Sequence, residues 1–546
     1  MHAVDPPEAL ALPRDDVATT VIANTRVLRG SDSVVHGLLS VIAMLGIMLF
    51  AGFWIREIWP ERTSWLTPAV GVLLLVLIIV WLAQWFAIRR MVRPVPRPAP
   101  DGLRVAAVTT YVRSHESIPL LEQTLRAMCA MRGSHDVWLL AEQDVAEVRA
   151  LCERLGVHHF SREGMPQYQA TRGTYRSASK HGNYNAWLAE VGYANYDVLA
   201  MFDPDHVPER SYLERTLGFL DASDVGFVQP PQFYYNQPAS FVARAAAEES
   251  YAYYSTQLMA SYAFGHAVVI GSHGVHRMSA LASVGGLPSH DAEDLLLTIR
   301  YRSNGWRGVF LPEILAMGTT PVDWAGYLRQ QLRWSRSLLD IKLRVIPRLS
   351  IPLPVRERVL NMVHGVYYLR ALCIPVFYVM LAVMLVRNVV PPFMQPRALL
   401  AVGALFALLS VIGRFTQRFY LDPPREGGFQ WRATLMQFVK WPVFVRATYE
   451  AVRGLDVAYL VTPKGRAAPR TRALAPVQFA VSIMLVAAAI AGRLVHGELQ
   501  LTIVIAVAIV IGISTAVALS DVAHPTHANL EALYHARRRA MHLADS

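Results

Sequence analysis

Two acidic side chains that could hold a metal ion stand close together directly after an apolar run. In VLAMFDPDHV (198–207), Asp203 and Asp205 are separated by a single proline. An Asp-x-Asp pair offers hard carboxylate oxygens, which suit Mg²⁺ or Mn²⁺ bridging a diphosphate. Asp-Pro-Asp is also a common turn sequence, so the pair alone leaves both interpretations open. His206 follows the pair and is either a helper at the metal or a turn-capping or core residue.

A retained lysine is informative in a chain that uses arginine almost everywhere. Of its 52 basic side chains only four are lysines, and these are Lys180, Lys342, Lys440 and Lys464. Lys180 lies in SKHGNYNAWL (179–188), which predicts a helix that begins near this lysine. The amide groups and the dipole of a helix N-terminus favour an anion, so Lys180 is a candidate phosphate ligand. A solvated surface lysine is the alternative.

Two further motifs place reactive side chains on helices. DAEDLLLTIRYRSNGW (291–306) predicts an amphipathic helix with Glu293 and Asp294 in its first turn, where acids commonly complement the helix dipole. YLRQQLRWSRS (327–337) predicts a helix on which three side chains share one face, those of Gln330, Arg333 and Trp334. An amide, a guanidinium and an indole together could bind phosphate and stack a sugar ring. The alternative for this segment is an amphipathic helix that lies on the membrane.

The elements that must position these motifs alternate between apolar strands and amphipathic helices. Strands are predicted over 103–110, 136–140 and 197–202, and helices over 117–131, 145–155 and 210–220. This alternation indicates an α/β domain with a largely parallel sheet. Ligands bind at the carboxyl ends of the strands in such sheets. Asp203 and Asp205 come at one of these ends, which supports the metal-site interpretation.

The composition indicates that the α/β domain belongs to a membrane protein. Of the 546 residues, 53% are hydrophobic and 17% charged, and the mean hydropathy is +0.28. Six segments are apolar for long enough to cross about 30 Å of hydrocarbon, and these are 34–54, 66–88, 367–386, 396–413, 474–495 and 501–519. Between about 100 and 345 no apolar stretch is long enough to span. The domain is therefore predicted to be inserted between two and four membrane helices.

The distribution of basic residues predicts which side of the membrane holds the domain. Arginines follow the second span in IRRMVRPVPRP (88–98), and 414–472 holds eleven Arg and Lys against four Asp and Glu. Cationic segments stay in the cytoplasm, so the domain and both termini are predicted to be cytoplasmic, in a plasma (inner) membrane. Arg56 and Arg62, in the first outer loop, oppose this orientation.

Cysteine usage and net charge narrow the compartment and the partners. The spacing of the three cysteines predicts no metal site or disulfide and suits a reducing cytosol; they are Cys129, Cys152 and Cys373. The formal net charge of +11 favours contact with membrane lipids. Nucleic acid is not predicted as a partner, because the basic runs flank spans and no nucleic-acid-binding motif occurs.

Taken in order, four motifs of this chain resemble those of the processive family 2 glycosyltransferases, the group of cellulose, chitin and hyaluronan synthases. They are Lys-x-Gly-Asn at 180–183, Asp-x-Asp-His at 203–206, Glu-Asp at 293–294 and Gln-x-x-Arg-Trp at 330–334. A fifth motif, YLVTPKG (459–465), is similar to the Phe-x-Val-Thr-x-Lys loop of cellulose synthases, with Tyr459 in place of the Phe. The resemblance covers most of the chain and tilts toward the cellulose-type branch.

The resemblance implies a GT-A, Rossmann-like α/β catalytic domain inserted in an α-helical transmembrane bundle of about six spans. The segments implied are a cytosolic N-terminal segment 1–33, two spans in 34–88, the GT-A domain 100–345, an interfacial helix 346–366, two spans in 367–413, a cytosolic interfacial helix with the VTPKG loop in 414–472, two spans in 474–519 and a cytosolic tail 520–546. The tail is predicted to hold a short amphipathic helix.

The resemblance also implies an inverting transfer from a nucleotide-sugar donor, most simply UDP-glucose, to a growing β-linked polysaccharide that crosses the membrane. Mg²⁺ or Mn²⁺ would be held by Asp205, with Asp203 and His206 as helpers. Asp294 would take the proton from the acceptor hydroxyl with Glu293 in support, and Trp334 would stack the acceptor sugar. The implied donor ligands are Lys180, Glu142, Gln330, Arg333, Thr462 and Lys464.

One motif of the family is replaced in this chain. Where the family has Asp-Asp-Gly after its second strand, with an aspartate reading the uracil, LLAEQD (139–144) offers Ala141, Glu142 and Gln143. Glu142 is the candidate substitute, with Asp144 beside it, and both are alternatively exposed residues at the start of a helix.

Two other functions compete with the polysaccharide synthase. A transporter or receptor with a cytosolic α/β domain would need ionisable residues within its spans, and the apolar centres of these spans contain almost none. A non-processive transferase that adds one sugar to a lipid carrier, or a synthase using UDP-GlcNAc or another nucleotide sugar, is a closer alternative. The sequence names no accessory or oligomeric partner.

Overall fold

The α/β domain is built around one mixed sheet. The computed structural model describes residues 21–60, 65–113, 116–363, 366–455, 475–522 and 530–542. The strands are β1 (Asn24–Arg26), β2 (Val92–Pro94), β3 (Val105–Tyr111), β4 (Asp136–Ala141), β5 (His158–Ser161), β6 (Val198–Met201), β7 (Val207–Pro208), β8 (Val225–Gln229), β9 (Val275–Arg277), β10 (Arg307–Phe310) and β11 (Ala316–Met317). Within these ranges, seven strands form the sheet in the order β10-β8-β9-β6-β3-β4-β5.

Only β9 runs against the other strands of this sheet. It pairs antiparallel with β6 and β8, whereas the remaining neighbours pair parallel. The carboxyl ends of six strands therefore lie on one edge, as the alternating pattern predicts. Two short antiparallel pairs lie outside the sheet, β1 with β2 and β7 with β11.

The longer helices of the described chain are α1 (Gly30–Phe53), α2 (Leu66–Ile88), α3 (Ile118–Cys129), α4 (Ala146–Leu155), α5 (Lys180–Trp187), α6 (Phe241–Ala252), α7 (Glu293–Ser303), α8 (Trp324–Arg344), α9 (Val355–Val363), α10 (Cys373–Arg387), α11 (Pro396–Gly413), α12 (Trp431–Val439), α13 (Trp441–Arg453), α14 (Ala475–His496), α15 (Leu501–Val522) and α16 (Leu530–His542). Short helices occupy Tyr193–Asn195, Tyr212–Thr216, Leu258–Ala263, Met278–Ser283 and Pro423–Glu426.

The core of the domain lies between the sheet and the helices beside it. All seven residues of β3, VAAVTTY, are buried, as expected of a central strand that is covered on both faces. Leu121 and Leu125 of α3 and Leu151 of α4 belong to the same hydrophobic cluster as the strand residues. Packing on both faces leaves the strand ends as the place where polar side chains can meet a ligand.

Five helical stretches of the described residues are long and apolar enough to cross a membrane. They are Gly30–Ile58, Leu66–Ile88, Pro396–Phe419, Pro476–His496 and Leu501–Leu519. The sixth predicted span, 367–386, coincides with the shorter apolar helix α10 and the 3₁₀ turns of Val366–Leu372 before it. The count of six spans therefore stays a prediction, as does the orientation in the membrane.

The segments predicted to lie at the membrane surface are divided more finely than the sequence suggests. Within 346–366 the helix α9 begins only at Val355, because prolines at 347, 352 and 354 disfavour helix before it. The described part of 414–472 holds two longer helices, α12 and α13, after the short helix Pro423–Glu426, and Pro442 stands in the first turn of α13.

The tail helix α16 packs on the α/β domain. The ring of Tyr534 lies 5.5 Å from that of Tyr235, and the guanidinium of Arg537 lies 4.8 Å from the ring of Phe233. Arg537 also forms an ion pair of 2.6 Å with Asp422. The predicted amphipathic helix of the tail is thus present, with a buried aromatic contact on one face.

Candidate active site

The predicted site residues line one cavity of about 1880 Å³. The predicted site residues within the described ranges all line it: Glu142, Lys180, Asp203, Asp205, His206, Glu293, Asp294, Gln330, Arg333 and Trp334. Thr462 and Lys464, the predicted ligands from the VTPKG loop, lie outside the described residues. Residues far apart in the sequence, from Glu142 to Trp334, therefore lie around one site.

Asp203, Asp205 and His206 form a group that could hold a metal ion. Each offers one ligand atom, and these atoms lie within 4.8 Å of one another. Asp205 and His206 are buried, while Asp203 is half-buried at the cavity wall. Two carboxylates and an imidazole are ligands that a divalent cation accepts. Nε2 of the buried His206 has no hydrogen-bond partner among the described residues. A lone pair on this nitrogen could bind a cation, so the group fits a metal ion.

Asp205 is held in place by a residue that the sequence patterns do not identify. Its Oδ2 accepts hydrogen bonds from the Thr319 hydroxyl at 2.5 Å and from the Thr319 amide at 3.3 Å. His206 lies against Gly318, where a Cβ would stand 2.3 Å from Nε2. These contacts depend on the pairing of β7 with β11, two strands of two residues each, which are too short to leave a periodic signal.

Lys180 connects the Asp-x-Asp group to the opposite side of the cavity. The Ser179 side chain accepts a hydrogen bond from the Gly182 amide and so caps the N-terminus of α5, as the sequence predicts. The Lys180 ammonium donates to Asp203 Oδ1 at 2.5 Å and to the carbonyl oxygen of Gly271. Lys180 is thus an inward-facing cation rather than a solvated surface lysine.

Glu293 and Asp294 begin α7 at the cavity wall. Burial, and next the neighbouring Asp294 carboxylate, raise the pKa of Glu293 to about 7. Burial also raises the pKa of Asp294, although the Leu295 amide lowers it, as does the positive charge of Lys180. The two carboxyl groups therefore titrate as a pair that takes up a proton near neutral pH.

Gly271 separates Lys180 from the acid pair. Its φ of +83° lies in the left-handed region, and a Cβ there would stand 3.2 Å from Asp294 Oδ2. Its carbonyl oxygen accepts the hydrogen bond from Lys180. Both the backbone conformation and the space therefore require glycine. A glycine directly after the apolar VVI at 268–270 is the sequence signal that could have identified this position.

We expect Gly271→Ala to slow turnover by at least about 10-fold, because backbone strain and the new methyl group would displace Asp294. Gly265→Ala is the matched control. Gly265 also has a positive φ, of +72°, but its Cβ would meet only the Arg356 side chain, at 3.7 Å. Initial rates and thermal stability of the two purified variants separate the effects. Equal losses of rate in both would assign the effect to backbone strain alone.

The Gln-x-x-Arg-Trp motif lies on α8, which begins at Trp324. The preceding Asp323 caps this helix, because its side chain accepts a hydrogen bond from the Gly326 amide at 2.7 Å. Gln330, Arg333 and Trp334 are half-buried and line the cavity from one helix face, as the spacing predicts. The charge of Arg333 lowers the pKa of both acids of the Glu293–Asp294 pair. The helix thus brings a cation and an aromatic ring to the acid pair.

Glu142 is bound by protein groups in this structure. Its Oε2 accepts hydrogen bonds from Arg162, whose side chain is fully buried, and its Oε1 accepts one from the Ala178 amide at 2.9 Å. Arg162 also donates to carbonyl oxygens of Tyr168 and Arg176. Glu142 therefore fixes the loop that precedes Lys180. Arg162 carries no sequence signal of this role, because its contacts form only in the folded chain.

Two predicted membrane helices complete the cavity wall. Leu73, Val76, Leu77 and Val80 of α2 line it with the spacing of one helix face, and Gln84 continues this face. From α11 the lining residues are Phe406, Ala407, Ser410 and Val411. The cavity therefore extends from the polar strand ends to a mostly aliphatic surface between spans.

The α/β domain is similar to known glycosyltransferases. Residues 104–337 match the family described as "Glycosyltransferase like family 2". A UDP-forming cellulose synthase catalytic subunit of Xanthomonas axonopodis pv. citri (strain 306) is 26% identical over 233 residues, 41% of this chain and 30% of that protein. A UDP-forming cellulose synthase catalytic subunit of Dictyostelium discoideum is 27% identical over 168 residues, 30% of this chain and 16% of that protein. The chain thus spans less than a third of the length of these curated relatives.

Two solved structures are similar to this chain at lower sequence identity. A mannosyltransferase from Pyrobaculum calidifontis in complex with GDP-Man and Mn²⁺ has a TM-score of 0.44 and 15% identity, over 77% of this chain and 100% of that one. Glucosyl-3-phosphoglycerate synthase from Mycobacterium tuberculosis, with Mn²⁺, UDP and glucosyl-3-phosphoglycerate, has a TM-score of 0.28 and 14% identity, over 42% of this chain and 79% of that one.

Proposed function

We propose that the chain polymerises sugars from a nucleotide-sugar donor into a β-linked polysaccharide, because residues 104–337 match the family 2 glycosyltransferases. UDP-glucose is the proposed donor, Mg²⁺ or Mn²⁺ the proposed cofactor, and the growing polysaccharide the acceptor. The polymer would leave between the membrane helices. The catalytic domain and both termini are proposed to lie in the cytoplasm, at the plasma (inner) membrane.

The observation that supports this most is the convergence of three chemically distinct groups on one cavity. The Asp203–Asp205–His206 group, the Glu293–Asp294 pair and the Gln-x-x-Arg-Trp face of α8 line it together. The same cavity continues to α2 and α11. A donor site, a base and an acceptor platform next to membrane helices are what a membrane polysaccharide synthase requires.

In the proposed reaction the anomeric carbon is attacked by an acceptor hydroxyl, and the nucleoside diphosphate leaves. Asp203, Asp205 and His206 would hold a divalent cation, and its positive charge would stabilise the leaving diphosphate. Lys180 and Arg333 add positive charge to the same cavity. Asp294 takes the proton of the acceptor hydroxyl, with the neighbouring Glu293 carboxyl in support.

Nucleotide release by the purified full chain tests this proposal. A panel of UDP-glucose, UDP-GlcNAc, UDP-galactose and GDP-mannose is incubated with the protein, Mg²⁺ or Mn²⁺ and acceptor. We expect release with one donor, accompanied by high-polymer product. No release above background with any donor would reject the proposed activity.

The aliphatic part of the cavity favours a second candidate, a transferase that adds one sugar to a lipid carrier. Leu73, Val76, Leu77 and Val80 offer no hydrogen bonds to a polysaccharide, and an alkyl chain would cover them well. Product size separates the two candidates. Labelled sugar in high-polymer material supports the synthase, and label in a single-sugar lipid supports the lipid-linked alternative.

We expect the transfer rate to fall as the pH is lowered below about 7, where the Glu293–Asp294 pair gains a proton. A base must be deprotonated to act, so its activity is present above its pKa and lost below it. The Glu293→Gln variant removes one of two adjacent carboxylates whose repulsion raises the pKa of the pair, and its acidic limb should therefore move to lower pH. The pH dependence of kcat in both proteins checks this. An unmoved limb in the variant would exclude coupling of the two acids.

A further inference from the structure

A second polar cluster lines the same cavity away from the reacting groups. It consists of Glu248 and Glu249 on α6, Gln437 on α12, and Lys440 at the junction of α12 and α13. We call these four residues the distal polar cluster. Lys440 is one of the four lysines that the chain retains, and its side chain is 3% exposed. None of these residues belongs to the motifs that indicate the catalytic site.

Glu249 is the centre of the hydrogen bonds in this cluster. Its Oε1 accepts from the Gln437 amide at 2.7 Å and from the Lys440 ammonium. Its Oε2 accepts from the hydroxyl of Tyr327, a residue of α8. The cluster is therefore attached directly to the helix that carries Trp334.

The position of Tyr327 on α8 gives the distance from the distal polar cluster to Trp334, where the reacting end of the acceptor would stack. Trp334 follows seven residues later, two turns along the same helix face, which corresponds to about 10 Å. Glu249, which is bonded to Tyr327, and Trp334 both line the cavity. An acceptor sugar stacked on Trp334 would therefore have its preceding sugars near the cluster.

Glu248 supplies an acceptor atom that is buried and unused in the described structure. Its Oε1 accepts from Arg432 at 2.8 Å, and Arg244 lies 3.6 Å from the same oxygen. Its Oε2 has no hydrogen-bond partner among the described residues, although the side chain is only 6% exposed. A buried carboxylate oxygen without a partner is unfavourable, so a ligand hydroxyl that donates to it would bind well.

The charges of the distal polar cluster indicate a neutral ligand. The buried cation Lys440 is bonded to Glu249, and Arg432 is bonded to Glu248. A phosphate would have to compete with these carboxylates and would meet their negative charge. Sugar hydroxyls donate and accept hydrogen bonds without net charge, which matches a set of paired carboxylates, an amide and an ammonium.

We propose that the distal polar cluster is an acceptor subsite that binds the hydroxyl groups of sugars behind the reacting end of the polysaccharide. The inference rests on the proposed function, because it requires a carbohydrate acceptor. It adds a specific consequence, since a chain of several sugars reaches the subsite whereas a single sugar at Trp334 does not. Affinity should therefore rise with acceptor length.

The test compares glucose, its β-linked dimer and its β-linked tetramer as soluble acceptors for the full chain with UDP-glucose. In Glu248→Gln we expect the KM for the tetramer to rise about 10-fold, as for loss of a hydrogen bond to a charged group. The KM for glucose and for UDP-glucose should stay unchanged. Gln437→Leu, which breaks no ion pair, should act in the same direction.

Glu450→Gln is a matched control. Glu450 is also buried, also pairs with an arginine, Arg446, and also has an Oε2 without a hydrogen-bond partner among the described residues, but it does not line the cavity. It should leave acceptor affinity unchanged. Equilibrium binding of the tetramer to the solubilised chain without nucleotide sugar gives a second readout, which does not depend on turnover.

The outcomes separate the subsite from the proposed function. Unchanged tetramer binding in both cluster variants would overturn the subsite, and so would an equal rise of KM for glucose and tetramer. Label transferred only into lipid would also overturn it. No transfer from any nucleotide sugar by the unmodified chain, with tetramer binding that still weakens in Glu248→Gln, would reject the proposed reaction and retain a carbohydrate site.

Discussion

Replacing Asp294 with asparagine is expected to lower the rate of sugar transfer by about 10³-fold. Asparagine keeps the shape and can still accept the Leu295 amide hydrogen bond, which measures 2.8 Å to Asp294 Oδ1. It cannot take a proton from the acceptor hydroxyl. Because a base acts in the transition state and contributes little to donor binding, the affinity for the nucleotide sugar should remain close to that of the unmodified chain.

Rates of nucleotide release and equilibrium binding of the donor, measured on the same preparation, check this expectation. Asp340→Asn is a suitable control, because Asp340 is a half-buried aspartate of α8 that pairs with His290 and Arg344 and does not line the cavity. It should transfer sugar at nearly the normal rate. If donor affinity and rate fell together in Asp294→Asn, Asp294 would belong to the donor site.

Asp205→Asn is expected to reduce transfer by about 10²- to 10³-fold by removing a negative ligand from the divalent cation. The amide oxygen can still accept from Thr319, so the loop after β6 should keep its conformation. The affinity for Mn²⁺, followed by the paramagnetic signal of free Mn²⁺, should fall together with the rate. A parallel loss of Mn²⁺ affinity and transfer rate would assign both effects to the Asp205 carboxylate.

Asp197→Asn is the matched control, since it changes an aspartate at the other end of β6. Asp197 directly precedes β6, and its carboxylate pairs with Arg104 at 2.9 Å, away from the cavity. It should leave Mn²⁺ affinity unchanged, although the lost ion pair could lower the thermal stability slightly. A normal turnover rate in chelator-treated protein without added metal would contradict the role assigned to Asp205.

Local sequence signals are sufficient to predict an α/β domain with a largely parallel sheet and the polar ends of its strands, whereas the GT-A assignment comes from the family resemblance. Apolar runs such as 198–202 specify buried strands, and the residues that follow them in the chain must emerge at one edge of the sheet. Helix spacing alone places Gln330, Arg333 and Trp334 on one face. The mixed sheet with the antiparallel strand β9 is the part of the fold that this reasoning does not reach, since strand order depends on tertiary packing.

The residues that hold the site in shape escape sequence reasoning because their partners are distant along the chain. Thr319 binds an aspartate 114 residues away, and Glu142 meets Arg162 only after β4 and β5 pair. The distal polar cluster joins helices separated by about 190 positions, as in the bond between Glu249 and Lys440. Composition and periodicity describe neighbours in sequence, and these contacts are neighbours only in space.

The docking of α16 has a consequence for the order in which the protein is made. Tyr534 packs into the same hydrophobic cluster as Val207 of β7 and Met317 of β11, the pair of strands that brings Thr319 to Asp205. A ribosome releases residue 534 only after all five candidate spans have been synthesised. The wall behind Asp205 therefore acquires the Tyr534 ring only after these candidate spans have been made, and nascent chains that stop before 530 would leave the loop that holds Asp205 without this support.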